Sequence, residues 1–160
     1  MREPVMEGRG FYNAHSKLQA RSAQEAEGML ERAVAGATIP AGPLTIADFG
    51  CSQGHNSMRP LALALDRLTE RAGQSRDILV MHTDLPHSDF TSLFEMLETA
   101  PDSYRRGRNH VFASAVAHSF YKRLLPVASL TLGWSAFALH WMMGRDIVRN
   151  GMAGAARLKP

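Results

Sequence analysis

Ile46-Ala47-Asp48-Phe49-Gly50-Cys51-Ser52-Gln53-Gly54 is the stretch on which the fold turns. With Leu44 and Thr45 ahead of it, an apolar run between Pro43 and Gly50 leads into a turn-rich loop that continues through His55, Asn56 and Ser57. A short apolar run bounded by turn residues reads as a buried strand. Gly50 and Gly54 let the backbone come close to a ligand, and the helix that follows offers free N–H groups. In such sheets ligands sit beyond the carboxyl ends of the strands. The spacing Asp48-x-Gly50-x-x-x-Gly54 is neither the dinucleotide pattern nor the phosphate loop, since no lysine follows it. An acid two residues before the first glycine suits a cationic amine or sulfonium better than a triphosphate. The plainer alternative is a tight strand-to-helix turn with an incidental Asp.

Working outward, a helical pattern starts at Ser16 and carries Leu18, Ala23, Ala26, Met29, Leu30, Ala33 and Val34 at three- and four-residue steps. It stops before the Gly36–Gly42 breaker region. A second helix holds Leu61, Leu63, Leu65 and Leu68 and closes at Gly73, with Pro60 in its first turn. Ile78–Met81 reads as a second strand ending at Asp84, and Asp89 as the N-cap of a helix through Leu97. Val111–Val116 and Ser129–Trp134 are further strands. The alternation of strands and helices predicts α/β architecture with a mostly parallel sheet of about four strands. Residues 1–15 read as an N-terminal arm, 16–144 as the ligand-binding domain, and 145–160 as a tail.

Composition bounds the class. The 160 residues are 45% hydrophobic and 21% charged, as in a globular domain rather than a disordered chain. No apolar run approaches the ~20 residues of a spanning helix, and the N-terminus lacks the apolar stretch of a secretory signal. A cytoplasmic protein with no membrane partner is the expectation. The single cysteine, Cys51, rules out an internal disulfide and a multi-cysteine zinc cluster. Net charge is +3, too slight to indicate nucleic acid. Arg105, Arg106 and Arg108 read as a solvated loop.

Asp84, at the end of the second strand, stands where an acid in doubly wound folds commonly accepts from ribose hydroxyls, the plainer alternative being a turn residue. Cys51 reads as a small residue lining the pocket. Of the histidines, only His82 and His87 with Asp84 come near a metal set, and no metal is expected. Read bare, Trp141 is a core anchor.

Four blocks, in order, resemble the SABATH family of S-adenosylmethionine-dependent methyltransferases, which includes the salicylate, benzoate and jasmonate carboxyl methyltransferases and the caffeine-pathway N-methyltransferases. They are Met6-Glu7-Gly8-Arg9-Gly10 with Tyr12, Ser16 and Gln19; Ile46 to Asn56; Thr83-Asp84-Leu85-Pro86-His87-Ser88-Asp89-Phe90-Thr91-Ser92-Leu93-Phe94; and His118-Ser119-Phe120-Tyr121-Lys122-Arg123-Leu124-Leu125-Pro126 with Ala136-Phe137-Ala138-Leu139-His140-Trp141. The resemblance implies a Rossmann-like class I methyltransferase fold with strand order 3-2-1-4 and S-adenosyl-L-methionine as cofactor.

Carried over by residue, it implies that Ser16, Asp48 and Asn56 contact the methionine part, with Gly50 and Cys51 lining that loop. Asp84 and Leu85 hold the ribose, and Ser119 and Phe120 face the adenine. Gln19, Phe137, His140 and Trp141 form the acceptor side, which reverses the bare reading of Trp141. The implied reaction is methyl transfer to the carboxylate of a small organic acid. It needs positioning and no catalytic acid or base, because a carboxylate is ionised already. A non-catalytic cofactor-binding fragment or pseudoenzyme, and an N-methyltransferase of a small heterocycle, are the alternatives. A homodimer is left open. Family members are much longer, so the sequence reads as the cofactor half of the enzyme, truncated near its tail. Phe137 stands for a family Tyr, His118 for a Gly, and Gln53 and His55 depart within the loop.

Overall fold

The computed structural model describes residues 26–136 and residue 138. Four parallel strands form one sheet in the order β3-β2-β1-β4, with β1 at Leu44–Phe49, β2 at Ile78–Asp84, β3 at Val111–Ala117 and β4 at Leu132–Trp134. This is the order that the family resemblance implied. Helix α1 spans Glu27–Gly36, α2 Met58–Ala72 and α3 Phe90–Thr99, with a single turn of tighter helix at His55–Ser57.

Register decides what each face carries. Leu44 pairs with Ile78 and Ile78 with Val111; Ile46 lies between Val80 and Leu132; Asp48 lies between His82 and Trp134. Side chains alternate across a strand, so these residues share one face. Leu44, Ile46, Ile78, Val80, Val111, Leu132 and Trp134 join Leu30 and Val34 of α1, Met58, Leu61, Leu65 and Leu68 of α2, and Leu93 and Leu97 of α3 in one core. Among the described residues all three helices therefore cover this face. The other face carries Leu79, Phe112 and Val116, and Phe112 is half exposed.

Local chemistry explains the elements. Asp89 caps α3: its Oδ1 accepts from Ser92 N at 3.0 Å. Pro60 sits in the first turn of α2, where its missing N–H costs no ladder bond. Arg71 of α2 donates to the carbonyls of Val34 and Ala37 and so closes the end of α1. Strand β4 is shorter than the sequence suggests. Ala128 turns through a positive φ of 57° and Ser129 bonds back to Pro126 O, so pairing starts only as Thr131 N reaches Thr45 O.

Candidate functional site

The loop after β1 is fastened to the end of β2. Gly50 N and Cys51 N both donate to Thr83 O, at 2.8 and 3.1 Å. Gly50 (φ 73°) and Gly54 (φ 85°) lie in the left-handed region that favours glycine. At Gly54 a Cβ would stand 2.3 Å from Leu93 Cδ1, so the loop can lie against α3 only without a side chain there. Gln53, buried, donates from Nε2 to Asp89 Oδ2 at 2.8 Å and joins the same loop to the α3 cap.

Two carboxylates converge at this loop. Asp84 receives two backbone donors: Ser52 N at 2.6 Å on Oδ2 and Leu85 N at 2.7 Å on Oδ1. Its lone pairs can take further donors, such as a pair of ribose hydroxyls. Asp48 is 1% exposed. Its Oδ2 lies 2.9 Å from His82 Nδ1, and His82 Nε2 lies 2.8 Å from the Tyr104 hydroxyl. Among the described residues no Lys or Arg pairs with Asp48, although a buried carboxylate is costly without a cation.

The phenol of Tyr104 is pushed well up by its burial first and by the Asp48 charge second, so it keeps its proton. Burial, then Asp48 and Asp84, push the Cys51 thiol up as well. Cys51 is thus a protonated lining residue rather than a poised nucleophile. Asp48, Cys51 and His82 offer an oxygen, a sulfur and a nitrogen within 4.8 Å of one another, a different set from the His82, His87 and Asp84 weighed from sequence. A cation there would need the thiolate that this surrounding disfavours, and the Nδ1 that already meets Asp48.

The acceptor set fits an adenosyl ligand carrying an amino-acid end. Asn56 Oδ1 is buried with no hydrogen-bond partner among the described residues, an acceptor suited to an ammonium. Phe120 approaches the loop from beyond β3: a Cβ on Gly50 would lie 3.9 Å from its ring. Ala138, beyond β4, comes closer still, 2.0 Å from that same point, so only glycine at 50 admits it. The structure thus gathers Asp48, Gly50, Cys51, Asp84, Leu85 and Phe120 around the ends of β1 and β2. Ser119, next to Phe120, accepts at its Oγ from Tyr121 N. Ser16, Gln19, Phe137, His140 and Trp141, like the arm and the tail, lie outside the described residues.

His82 and Tyr104 were missed as partners of Asp48. His82 is the first polar residue after the apolar run Ile78–Met81, but only the register, which the sequence does not show, puts it on the face of Asp48. Tyr104 gave no signal. Two arginines of the cluster are ion-paired to helices, Arg105 to Glu98 of α3 and Arg108 to Asp66 of α2. No described helix is long and apolar enough to cross a membrane.

A family model described as SAM dependent carboxyl methyltransferase matches residues 5–145. Methyltransferase LUC1 of Fusarium sp is 28% identical over 160 residues, covering 96% of this chain and 43% of that protein. Farnesoic acid carboxyl-O-methyltransferase of Arabidopsis thaliana is 30% identical over 144 residues, covering 85% of this chain and 39% of that protein. Among solved structures, a loganic acid methyltransferase with SAH superposes with a TM-score of 0.70 at 26% identity, over 86% of this chain and 40% of that one. The chain thus spans about two fifths of the length of these relatives.

Proposed function

Since the chain belongs to the S-adenosylmethionine-dependent carboxyl methyltransferases, we propose that the site at the ends of β1 and β2 binds S-adenosylmethionine and serves methyl transfer to the carboxylate of a small organic acid. The observation that carries this reading is the pair of carboxylates, Asp48 and Asp84, held at adjacent strand ends around the Gly50–Gly54 loop. Asp48 and Asn56 take the ammonium of the amino-acid end, and Ser16 is a further contact of that end in this reading. Asp84 accepts from the ribose hydroxyls, its orientation fixed by Ser52 N and Leu85 N. Phe120 packs on the adenine and Ser119 lines its edge. When bound, S-adenosylmethionine supplies an electrophilic methyl group on a sulfonium.

Gln19, Trp141, His140 and Phe137 form the acceptor side of this reading. A carboxylate with an ordinary pKa of about 4 is ionised at neutral pH, so no residue has to remove a proton. What the residues contribute is alignment of acceptor oxygen, methyl and sulfur, an effect that reaches about 7–11 kcal/mol in favourable systems. The buried Cys51, a free thiol, is in keeping with a cytoplasmic protein. A homodimer remains part of the proposal. The acceptor is read as a carboxylic acid because the farnesoic acid and loganic acid enzymes among the relatives are named for acids.

The test pairs binding with turnover. The 160-residue chain is titrated with S-adenosylhomocysteine, then incubated with S-adenosylmethionine and a panel of benzoate-like acids and nitrogen heterocycles. Methyl esters found by mass spectrometry are the expected product. Binding without transfer supports a non-catalytic role for this chain, methylated ring nitrogen moves it to the N-methyltransferases, and no binding overturns the reading.

A further inference from the structure

Between the buried apolar residues of β1 and β2 lies a polar line whose inner members, His82 and Tyr104, have no part in the reading above. It runs Asp48 Oδ2, His82 Nδ1, His82 Nε2, Tyr104 hydroxyl, with heavy-atom distances of 2.9 and 2.8 Å. All three side chains are buried, His82 and Tyr104 at 0% exposure and Asp48 at 1%. Asp48 sits opposite His82 in the parallel register, so the contact is built into the sheet rather than into a movable loop. Tyr104 is fixed from outside: Arg108 Nη1 donates to its carbonyl at 2.7 Å, and neighbouring Ser103 bonds Leu97 O at the end of α3.

The direction of the line follows from its ends. A carboxylate can only accept, so the hydrogen of the first bond belongs to His82 Nδ1. The Tyr104 hydroxyl can then donate to Nε2, which fixes the tautomer with its hydrogen on Nδ1. The line occupies Oδ2 of Asp48. Among the described residues no hydrogen bond reaches Oδ1. Asp84, by contrast, is oriented by backbone donors on both oxygens and needs no such support.

We infer that His82, held by Tyr104, is a positioning residue that locks the Asp48 carboxylate by one oxygen so that the other meets the ammonium of the cofactor's amino-acid end. The inference rests on the cofactor reading above and deepens it. It assigns the discrimination between a ligand with an amino-acid end and one without it to residues that touch no ligand. A carboxylate fixed in advance loses less freedom when the ammonium arrives, so its charge-assisted bond contributes more to affinity.

The test compares S-adenosylhomocysteine with methylthioadenosine, which shares the adenosine and thioether but lacks the amino-acid end. Both are titrated into the full chain and into the His82→Leu, His82→Asn and Tyr104→Phe variants. His82→Leu is expected to weaken S-adenosylhomocysteine about tenfold, and Tyr104→Phe about threefold, the range of a lost hydrogen bond to a charged and to a neutral group. Methylthioadenosine should bind all variants within about twofold of the parent, since a charged bond it never makes cannot be lost. His82→Asn, whose amide can donate near the place of Nδ1, should recover most of the loss. Equal weakening of both ligands would show a merely structural role and overturn the inference, as would an unchanged ratio. If His82→Leu does not fold, Tyr104→Phe and His82→Asn decide it by the same ratio. If the parent chain binds neither ligand, the cofactor reading itself falls and takes the inference with it.

Discussion

The ends of β1 and β2 lie side by side and each presents an aspartate, yet the two are held by different means. Asp84 is gripped by main-chain N–H groups of its own turn and of the loop after β1. Asp48 is gripped by side chains, His82 and behind it Tyr104, inside the apolar core. Backbone donors come with the fold and are indifferent to sequence. A side-chain line can be broken by one substitution without disturbing the sheet ladder. On the proposal that Asp84 serves the ribose and Asp48 the amino-acid end, the two should separate cleanly when ligands are varied.

The largest effect is expected at Asp84. Asp84→Ala removes the proposed acceptor for two hydroxyls and should weaken both S-adenosylhomocysteine and methylthioadenosine by about 100-fold in a calorimetric titration. A loss confined to S-adenosylhomocysteine would break the ribose assignment. Gly54→Ala, on the loop that spans the two ends, forces a positive φ and a Cβ 2.3 Å from Leu93 Cδ1. It should cost about 2 kcal/mol in urea unfolding, from strain and overpacking together. At Asp48 the effect is narrower. Asp48→Asn keeps the shape and removes the charge, and should weaken S-adenosylhomocysteine about tenfold while sparing methylthioadenosine. The smallest effect belongs to Asp89→Ala, which removes the cap of α3 and the Gln53 tie at a cost of about 1 kcal/mol.

Protonation supplies a separate check on the β1 end. Cys51 and Tyr104 both have their pKa raised in the folded chain, from ordinary values of 9.0 and 10.0. The folded state therefore binds these protons more tightly than the unfolded one. Their stabilising contribution is complete below those ordinary values and is lost progressively as pH rises from them toward the raised folded values. Unfolding followed across alkaline pH should show stability falling from about pH 9 upward, and Tyr104→Phe should flatten the upper part of that fall.

Much of this site could be read before any coordinates. Asp48, Gly50 and Gly54 stand at a strand-to-helix turn whose pattern is local. Asp84 and Leu85 close an apolar run, and Asp89 precedes a helix by the usual capping distance. Each is a short-range signal, and the structure carries each one. The partners of Asp48 were not legible for a different reason. His82 meets it only because β1 and β2 pair in one particular register, and the sequence does not print register. Tyr104 arrives from the loop after α3, at no periodic spacing from either. The late start of β4 was likewise hidden, because Ser129 continues directly into the run Leu130–Trp134 but is drawn into the turn at Ala128. The exposed Phe112 follows from a sheet whose described helices all lie on one side, and strand order leaves β4 at the edge among the described residues.

Whether the carboxylate pair holds the cofactor is best decided by a calorimetric titration of the 160-residue chain with S-adenosylhomocysteine, repeated as a thermal melt with and without ligand. Saturable one-to-one binding is expected, with a melting temperature that rises with ligand concentration, as for any ligand that binds only the folded state. No heat of binding together with an unmoved melting temperature would contradict cofactor binding at this site.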